Sequence, residues 1–148
     1  MSKIEQIEEE NKTLAMKEED ILAKLMGTHE VPTAIIEIPR LGIDIELKGL
    51  TERQISRIRE ECTTKKKISG KLESKINNAD FDAGIIVIAT VNFDWNNKKL
   101  VDSVQASDGK AFIRKTLLAG EISFLANKVL ELSGFNDELE EKEDIKNS

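Results

Sequence analysis

The sequence predicts an α+β protein: a mainly α-helical domain with a short N-terminal β-hairpin, preceded by a long polar helix. Apolar residues recur at helical spacing through residues 3–26 and again through residues 117–135. Between them, two short β-branched segments at 33–38 and 43–48 are joined by turn residues. A chain of 148 residues is long enough for one domain of ordinary size with tails.

The N-terminal segment, residues 1–30, is predicted to be a polar helix with a heptad-like seam. This seam also passes through Asn11 and Glu18, and polar seam residues weaken a coiled coil. Self-association and docking on the chain's own domain or a neighbour therefore both remain open. The apolar members of the seam are Ile4, Ile7, Leu14, Ile21 and Leu25.

Residues 31–136 are predicted to form the α+β domain, which begins with the hairpin. "TAIIEI" at 33–38 and "IDIELK" at 43–48 have strand composition, and the second alternates strictly. Pro39 and Gly42 bracket the connection, as turn residues do. Since an isolated hairpin is barely stable in water, we expect it to pack against helices or a third strand.

Two segments of opposite character follow the hairpin. Thr51 is expected to cap a short amphipathic helix that buries Ile55, Ile58 and Cys62. Residues 63–78 are polar, basic and weakly patterned. They are interpreted as a solvated connection with at most a helical turn.

The segment 80–93 suits either a buried strand or a helix that is buried nearly all round. Its Ile and Val content favours the strand. Asp80 as an N-cap favours the helix, which we prefer, with one face through Phe81, Ile85, Ile88 and Asn92. Two further short helices are expected, begun by Asn96 or Asn97 and by Ser107 or Asp108.

The final helix is predicted within "LLAGEISFLANKVLELSGF", residues 117–135. At about 100 degrees per residue its apolar side chains form one broad face, and Phe124 lies near the opposite side. Phe124 is therefore either covered by the N-terminal helix or a neighbouring subunit, or exposed for a partner. Gly134 is placed to close the helix, with Phe135 folded back on the last turn. Residues 137–148 are predicted to be an acidic flexible tail.

Charge and composition limit the function classes. There are 28 Asp and Glu against 22 Lys and Arg, and the acidic excess lies at the two ends. This speaks against nucleic acid as a partner, because phosphate binding needs a clustered positive field. No apolar run has the length of a membrane span or a signal-peptide core, so we expect a cytoplasmic protein without a membrane partner. A single cysteine fits a reducing compartment.

Groups suited to catalysis, cofactors or metals are scarce. His29 and Cys62 are single residues of their kinds, so an ordinary zinc site cannot be assembled, and Cys62 is interpreted as a small core residue. The Gly-Lys pairs at Gly70 and Gly109 lack P-loop spacing. We therefore expect no enzymatic activity, no cofactor and no metal, and a protein that works by binding.

Several short motifs, in order along residues 33–136, resemble the XkdN-like tail assembly chaperones of contractile-tailed bacteriophages, prophages and phage-derived particles. They are Pro39–Gly42, Leu50 with Thr51, Asn92–Asp94, Leu117–Ile122 and Leu132–Phe135. Phe93 departs from the pattern, since members often have proline there. The individual motifs are moderately specific, and their order along the chain is more so.

The resemblance implies a non-enzymatic chaperone of tail morphogenesis in the host bacterial cytoplasm, absent from the mature particle. Its implied partners are the tape measure protein, which it would bind and keep soluble, the tail tube protein, and a longer frameshifted form of itself. A homo-oligomer is also expected. The alternative is a structural tail or baseplate component that is retained in the particle.

Exposed apolar and turn residues are the expected protein contacts. For Arg40 and Leu41 in the hairpin turn, a role in turn geometry and packing is the alternative to a role in binding. In order of preference the candidates are Phe124, then Ile4, Ile7 and Leu14, then Arg40 and Leu41.

Overall fold

A β-hairpin opens the main unit of the computed structural model, which describes residues 16–135. Strands β1 (Thr33–Ile38) and β2 (Ile43–Lys48) pair antiparallel, with Ile36 opposite Ile45. Alternation turns one face towards the helices, so that Ile45 and Leu47 are fully buried. The strands occupy the residues where the sequence predicts them.

The described residues fall in two compact units, 16–30 and 31–135. The first contains helix α1 (Glu18–Met26), whose first turn holds three acidic residues, a favourable charge for a helix N-terminus. No side chain of α1 is buried. Within 16–30 the predicted helix is shorter than expected, because residues 16–17 and 27–30 are not helical. Residues 1–15 of the prediction lie outside the described residues, as does the predicted tail at 137–148.

The α+β class is confirmed: six helices and two separate antiparallel hairpins lie within residues 16–135. None of these helices is long and apolar enough to cross a membrane. After β2 the elements are α2 (Glu52–Glu61), β3 (Thr63–Ile68), β4 (Lys71–Ile76), α3 (Asn78–Ala89), α4 (Lys98–Asp102), α5 (Gly109–Thr116) and α6 (Ala119–Leu132).

The segment 80–93 is helical over most of its length, which confirms the preferred interpretation. Helix α3 packs against α2, α5 and α6, and its buried side chains include Ile85 and Ile86. Ile88 was expected on the buried face, and this is wrong: it is exposed. The buried surface of α3 is centred on Ala83, Ile86 and Ala89 instead.

Side-chain caps begin four of these helices. Thr51 and Gln54 cap each other's backbone N–H groups at the start of α2, as a capping box does. Asn97 and Asp108 are the caps of α4 and α5, chosen from the two pairs that the sequence leaves open. Each satisfies an amide that would otherwise lack a partner in the first turn.

The predicted cap of α3 is wrong. Asn77, not Asp80, caps the helix, and its Oδ1 accepts a hydrogen bond from the Asp80 N–H at 3.2 Å. Asp80 therefore lies inside the first turn, where its carboxylate pairs with Arg114 at 2.7 Å. Both residue types are good caps, and the earlier one starts the helix.

Residues 63–76 form a second hairpin, so the predicted connection with a helical turn is wrong. Strands β3 and β4 pair from Thr63 opposite Ile76 to Ile68 opposite Lys71. Ser69 and Gly70, with φ of 52° and 79°, form the two-residue turn with positive φ that hairpins prefer. Both faces are exposed to solvent, which explains why the sequence has no alternating pattern.

Helix α6 ends in the predicted left-handed glycine. Gly134 has φ of 95°, and the Phe135 N–H donates to the Leu130 carbonyl while the Gly134 N–H donates to the Glu131 carbonyl. These two bonds are the Schellman motif. The Phe135 backbone thus folds back as expected, although its side chain remains largely exposed.

Candidate functional site

The single cysteine and the single histidine occupy different surroundings. Cys62 is buried, which confirms its interpretation as a core residue, and burial raises the pKa of its thiol. His29 is exposed, with Nε2 at 2.5 Å from the Lys24 carbonyl oxygen. Within residues 16–135, no group of three or more His, Cys, Asp or Glu residues lies close enough together to hold a metal ion.

The hairpin turn and the start of α6 are joined by an ion pair. Arg40 Nε donates to Glu121 Oε2 at 3.0 Å, and Arg40 Nη2 donates to Glu121 Oε1 at 2.7 Å. The Leu118 N–H also donates to Glu121, which satisfies an amide ahead of the first turn. Such bidentate geometry fixes orientation as well as distance. We call each set of contacts that ties the first hairpin to another segment a join. The first join connects Pro39–Gly42 to Leu117–Ile122.

This ion pair makes stability depend on pH. The Arg40 guanidinium, and then the Leu118 N–H, lower the pKa of the Glu121 carboxyl below its ordinary value of 4.5. A carboxyl whose pKa is lower in the folded state contributes stability at pH values above its unfolded-state pKa. That contribution is lost as the pH falls through the folded-state pKa. Glu121→Gln should therefore lower stability near neutral pH and reduce its loss on acidification. Urea unfolding at a series of pH values from neutral to acidic measures both effects.

Glu131→Gln is the matched control, because Glu131 pairs with Lys128 on the surface of the same helix. We expect it to leave the acid dependence close to that of the unchanged chain. Equal flattening of the acid dependence by both substitutions would contradict the assigned role of Glu121.

A second join connects the end of the hairpin to the end of α6. The Leu50 N–H donates to Ser133 Oγ at 2.8 Å, and the Ser133 hydroxyl donates to the Val129 carbonyl at 2.6 Å. Gly49 lies so close to α6 that an added Cβ would be 2.3 Å from the Leu132 carbonyl oxygen. The backbones can approach this closely only because residue 49 has no side chain.

A third join connects β2 to the segment after α3. Asn92 Oδ1 accepts from the Glu46 N–H at 3.0 Å, and its Nδ2 donates to the Asp44 carbonyl at 2.9 Å. The Val91 N–H donates to the Glu46 carbonyl at 2.8 Å. Among the described residues, this edge of β2 has a single bridge, from Leu47 to Thr90, and the Asn92 amide satisfies further backbone groups there.

Next to the third join, an open groove of about 660 Å³ runs between the hairpin turn, the segment after α3, and α5. We call it the aromatic groove. Leu41 is 44% exposed at its rim, and Trp95 is only 2% exposed. The lining is mainly apolar, from Leu41, Ile43, Phe93, Trp95, Leu100, Phe112 and Leu117, with Asp44, Asn92 and Thr116 among them.

Three aromatic rings pack against one another in this groove. The Phe93 and Trp95 ring centroids are 4.7 Å apart at 59°, and those of Trp95 and Phe112 are 6.1 Å apart at 43°. Tilted pairs at these distances are favourable beyond the area they bury. The Trp95 Nε1–H donates to Thr90 Oγ1 at 2.8 Å, so its polar atom is satisfied. The groove therefore has a closely packed base, with its one indole N–H satisfied, and an exposed apolar rim.

The sequence matches a known protein family over most of its length. A model of the phage XkdN-like tail assembly chaperone family matches residues 22–146. The chain belongs to the XkdN-like tail assembly chaperone family. The resemblance predicted from the motifs is thus confirmed.

Two relatives of this chaperone family member come from Bacillus subtilis (strain 168). The phage-like element PBSX protein XkdN is 31% identical over 100 residues, which cover 66% of this chain and 68% of that protein. The uncharacterized protein YqbN is 30% identical over 119 residues, which cover 78% of this chain and 80% of that protein. A crystal structure of the protein YqbN is similar with a TM-score of 0.55, 20% sequence identity, and coverage of 74% of this chain and 90% of that chain. The structural likeness supports the fold.

The predicted contact residues of this XkdN-like chaperone lie in three places. Ile4, Ile7 and Leu14 are outside the described residues. The Arg40 guanidinium forms an ion pair with Glu121, whereas the neighbouring Leu41 lines the aromatic groove. Phe124 is 58% exposed on α6, one turn after Glu121 and on the same side of the helix. The structure thus brings Arg40 and Leu41 to one turn, and leaves Phe124 exposed.

Phe93, Trp95 and Phe112 were missed as candidate site residues of the chaperone. The chain has only six aromatic residues, five Phe and one Trp. Three of them, which is half, line one groove. The pair in "NFDW" was the available signal, because large aromatic side chains are usually buried at least in part. Its meeting with Phe112 depends on the tertiary fold.

Proposed function

We propose that this chain binds the tape measure protein of its tail, keeps it soluble, and helps to recruit tail tube subunits during tail morphogenesis. It acts as a homo-oligomer in the host cytoplasm and is absent from the mature particle. A longer frameshifted form of the same chain is a further partner. The family match supports the assembly role, and the aromatic groove is the observation that supports a helical client, meaning the protein that the chaperone holds.

The shape of the groove suits one face of an amphipathic helix. Helix-in-groove recognition needs an apolar trough that receives side chains one turn apart. Leu41 and Phe93 offer partly exposed apolar surface at the rim, above the buried Trp95. A tape measure helix would place a few apolar side chains there, shielded from water until the tail tube encloses it.

The modest size of the groove fits a contact that must be reversed. A few anchor side chains give weak binding at each position, and many copies along one client add avidity without preventing release. Phe124 lies on another element and would add a second anchor. Its side chain has no apolar partner one turn away on α6, where Gly120 and Lys128 are its neighbours.

Co-expression with the tape measure protein tests this proposal. We expect the tape measure protein to move from the insoluble to the soluble fraction and to co-purify with this chain. If it stays equally insoluble and does not co-purify, the proposal is wrong. Many stoichiometric copies in purified particles, counted by mass spectrometry, would instead indicate a structural tail or baseplate component.

Substitutions in the groove locate the contact. Leu41→Ser with Phe93→Ser should reduce co-purification about tenfold or more, because both rim anchors are removed. Ile35→Ser is the matched control: Ile35 is 69% exposed on the outer face of the hairpin, away from the groove. Phe124→Ser should weaken binding without lowering thermal stability. Equal binding by the groove variant and the control would exclude the groove.

A further inference from the structure

Within the part of the chain that the structure describes, both faces of the β3–β4 hairpin are exposed to solvent. Only Thr63 is partly buried in the two strands. Its attachment to the body consists of hydrogen bonds at its base, from the Asn77 N–H to the Cys62 carbonyl at 2.9 Å and from the Thr63 hydroxyl to the Arg59 carbonyl at 2.6 Å. A lone hairpin is marginal in water, so a partner that covers one face would stabilise it.

The two faces of this hairpin differ in chemistry. Residues opposite each other in the register share a face, so Lys65, Lys67, Leu72, Ser74 and Ile76 lie together with Thr63. We call this the basic face, because it carries two lysines, two exposed apolar side chains and no acid. The opposite face carries one apolar side chain, Ile68, together with Thr64, Glu73 and three lysines, Lys66, Lys71 and Lys75. Because the net charge of the two faces is the same, the basic face is the better surface for an acidic, amphipathic partner through its two apolar side chains and its lack of an acid.

Helix α1 has the complementary chemistry. At about 100 degrees per residue, its apolar side chains Ile21, Leu22, Leu25 and Met26 span one arc. Glu18 falls within that arc and Glu19 at its edge, whereas Asp20 and Lys24 point the other way. All four apolar side chains are exposed. This acidic face of α1 combines apolar surface with two carboxylates.

We propose that the acidic face of α1 in one copy of the chain docks on the basic face of the β3–β4 hairpin in a second copy. Opposite charges flank apolar surface on both sides, and the apolar area supplies affinity while the charges set orientation. Hairpin against hairpin and α1 against α1 would each bring like charges together. The contact joins two different surfaces, so a reciprocal pair of such contacts closes a two-fold dimer, whereas contacts from each copy to the next build an array.

This inference goes beyond client binding, because it concerns the chain alone. An open array would place one aromatic groove per copy at regular intervals. The tests below use the purified full chain without any tape measure protein. Their failure would leave the proposed binding of the tape measure protein standing, and failure of co-expression would leave this contact standing.

The decisive experiment reverses the charge of each surface in a separate variant and then mixes the two variants. Lys65→Glu with Lys67→Glu, and separately Glu18→Lys with Glu19→Lys, should each weaken self-association about tenfold or more at low ionic strength. A mixture of the two variants should restore association, because each supplies the partner that the other needs. Analytical ultracentrifugation measures mass for each variant and for the mixture. Added salt should weaken the association of the unchanged chain.

Matched controls on the opposite faces separate this contact from a general effect of charge. Lys71→Glu with Lys75→Glu makes the same charge change on the other face of the hairpin, and Asp20→Lys alters the other side of α1. Both controls should associate nearly as well as the unchanged chain. Melting curves establish that each variant is folded.

Several outcomes would overturn the proposal. A monomeric unchanged chain at low ionic strength, equal loss in the controls, or a mixture of the two reversed variants that stays monomeric would each do so. Binding of a DNA duplex that is lost with Lys65→Glu and Lys67→Glu, in a chain that does not self-associate, would assign these lysines to nucleic acid instead.

Discussion

Trp95→Ala should lower the free energy of unfolding by about 3–5 kcal/mol, as expected when a buried aromatic side chain is truncated. Trp95 is almost completely buried, contacts the rings of Phe93 and Phe112, and donates a hydrogen bond to Thr90. The substitution removes the base of the aromatic groove and leaves the Thr90 hydroxyl without this donor. Urea unfolding followed by circular dichroism measures the loss.

Phe93→Ala is the comparison for this prediction, because Phe93 lies at the exposed rim of the same cluster. We expect a clearly smaller loss of stability, since less of its surface is removed from water on folding. A loss for Trp95→Ala no larger than that for Phe93→Ala would show that the cluster is not part of the core.

Gly49→Ala should cost about 3 kcal/mol, at the upper end for overpacking, or prevent folding. The new Cβ would meet the Leu132 carbonyl at 2.3 Å, and this atom belongs to a helix backbone rather than to a flexible side chain. The second join cannot open to relieve the clash without breaking the hydrogen bond from Leu50 to Ser133. Thermal unfolding of the purified variant measures the effect.

Gly120→Ala is the matched control. No atom lies within 4 Å of the Cβ that would be added there, and Gly120 is in the first turn of α6. We expect a small gain of about 0.5 kcal/mol, since alanine restricts the unfolded chain at a position whose conformation it can adopt. If Gly49→Ala were as harmless as Gly120→Ala, the close approach at the second join would be incorrect.

Elements with one buried face were predictable from the sequence. The first hairpin, α2 and α6 each carry an apolar pattern at the period of their own structure, and Thr51 and Gly134 mark ends that the structure confirms. Helix α3 was harder, because it is buried on several sides and its apolar run suits a strand as well. The capping signal favoured the helix correctly, although from the wrong residue.

The second hairpin could not be predicted from periodicity, because neither face is buried and no alternation is imposed on its side chains. Ser69-Gly70 was the available signal, since two residues of this kind between equal segments indicate a tight hairpin. The joins depend on contacts between residues far apart in the chain. Arg40 and Glu121 are 81 positions apart, and nothing local links them.

The candidate contact residues were predicted in part. Exposure of Phe124 is consistent with the wheel geometry of α6, and Leu41 lies at a groove that the sequence did not indicate. For Arg40, the structure offers the alternative explanation considered at the outset, because its guanidinium holds the turn against α6. The groove itself combines residues from four segments, so only the fold brings them together.

The three joins involve the residues by which this chain is recognised as a family member. The residues that would select a binding partner are different ones, in the lining of the aromatic groove. Arg40, Asn92 and Ser133 hold the hairpin in place, and the polar atoms of their side chains are engaged within the molecule. Sequence similarity at these positions therefore indicates a shared fold and does not indicate which cargo is bound. Two scaffolds of this kind with different groove linings would accept different cargo while remaining equally easy to identify as relatives.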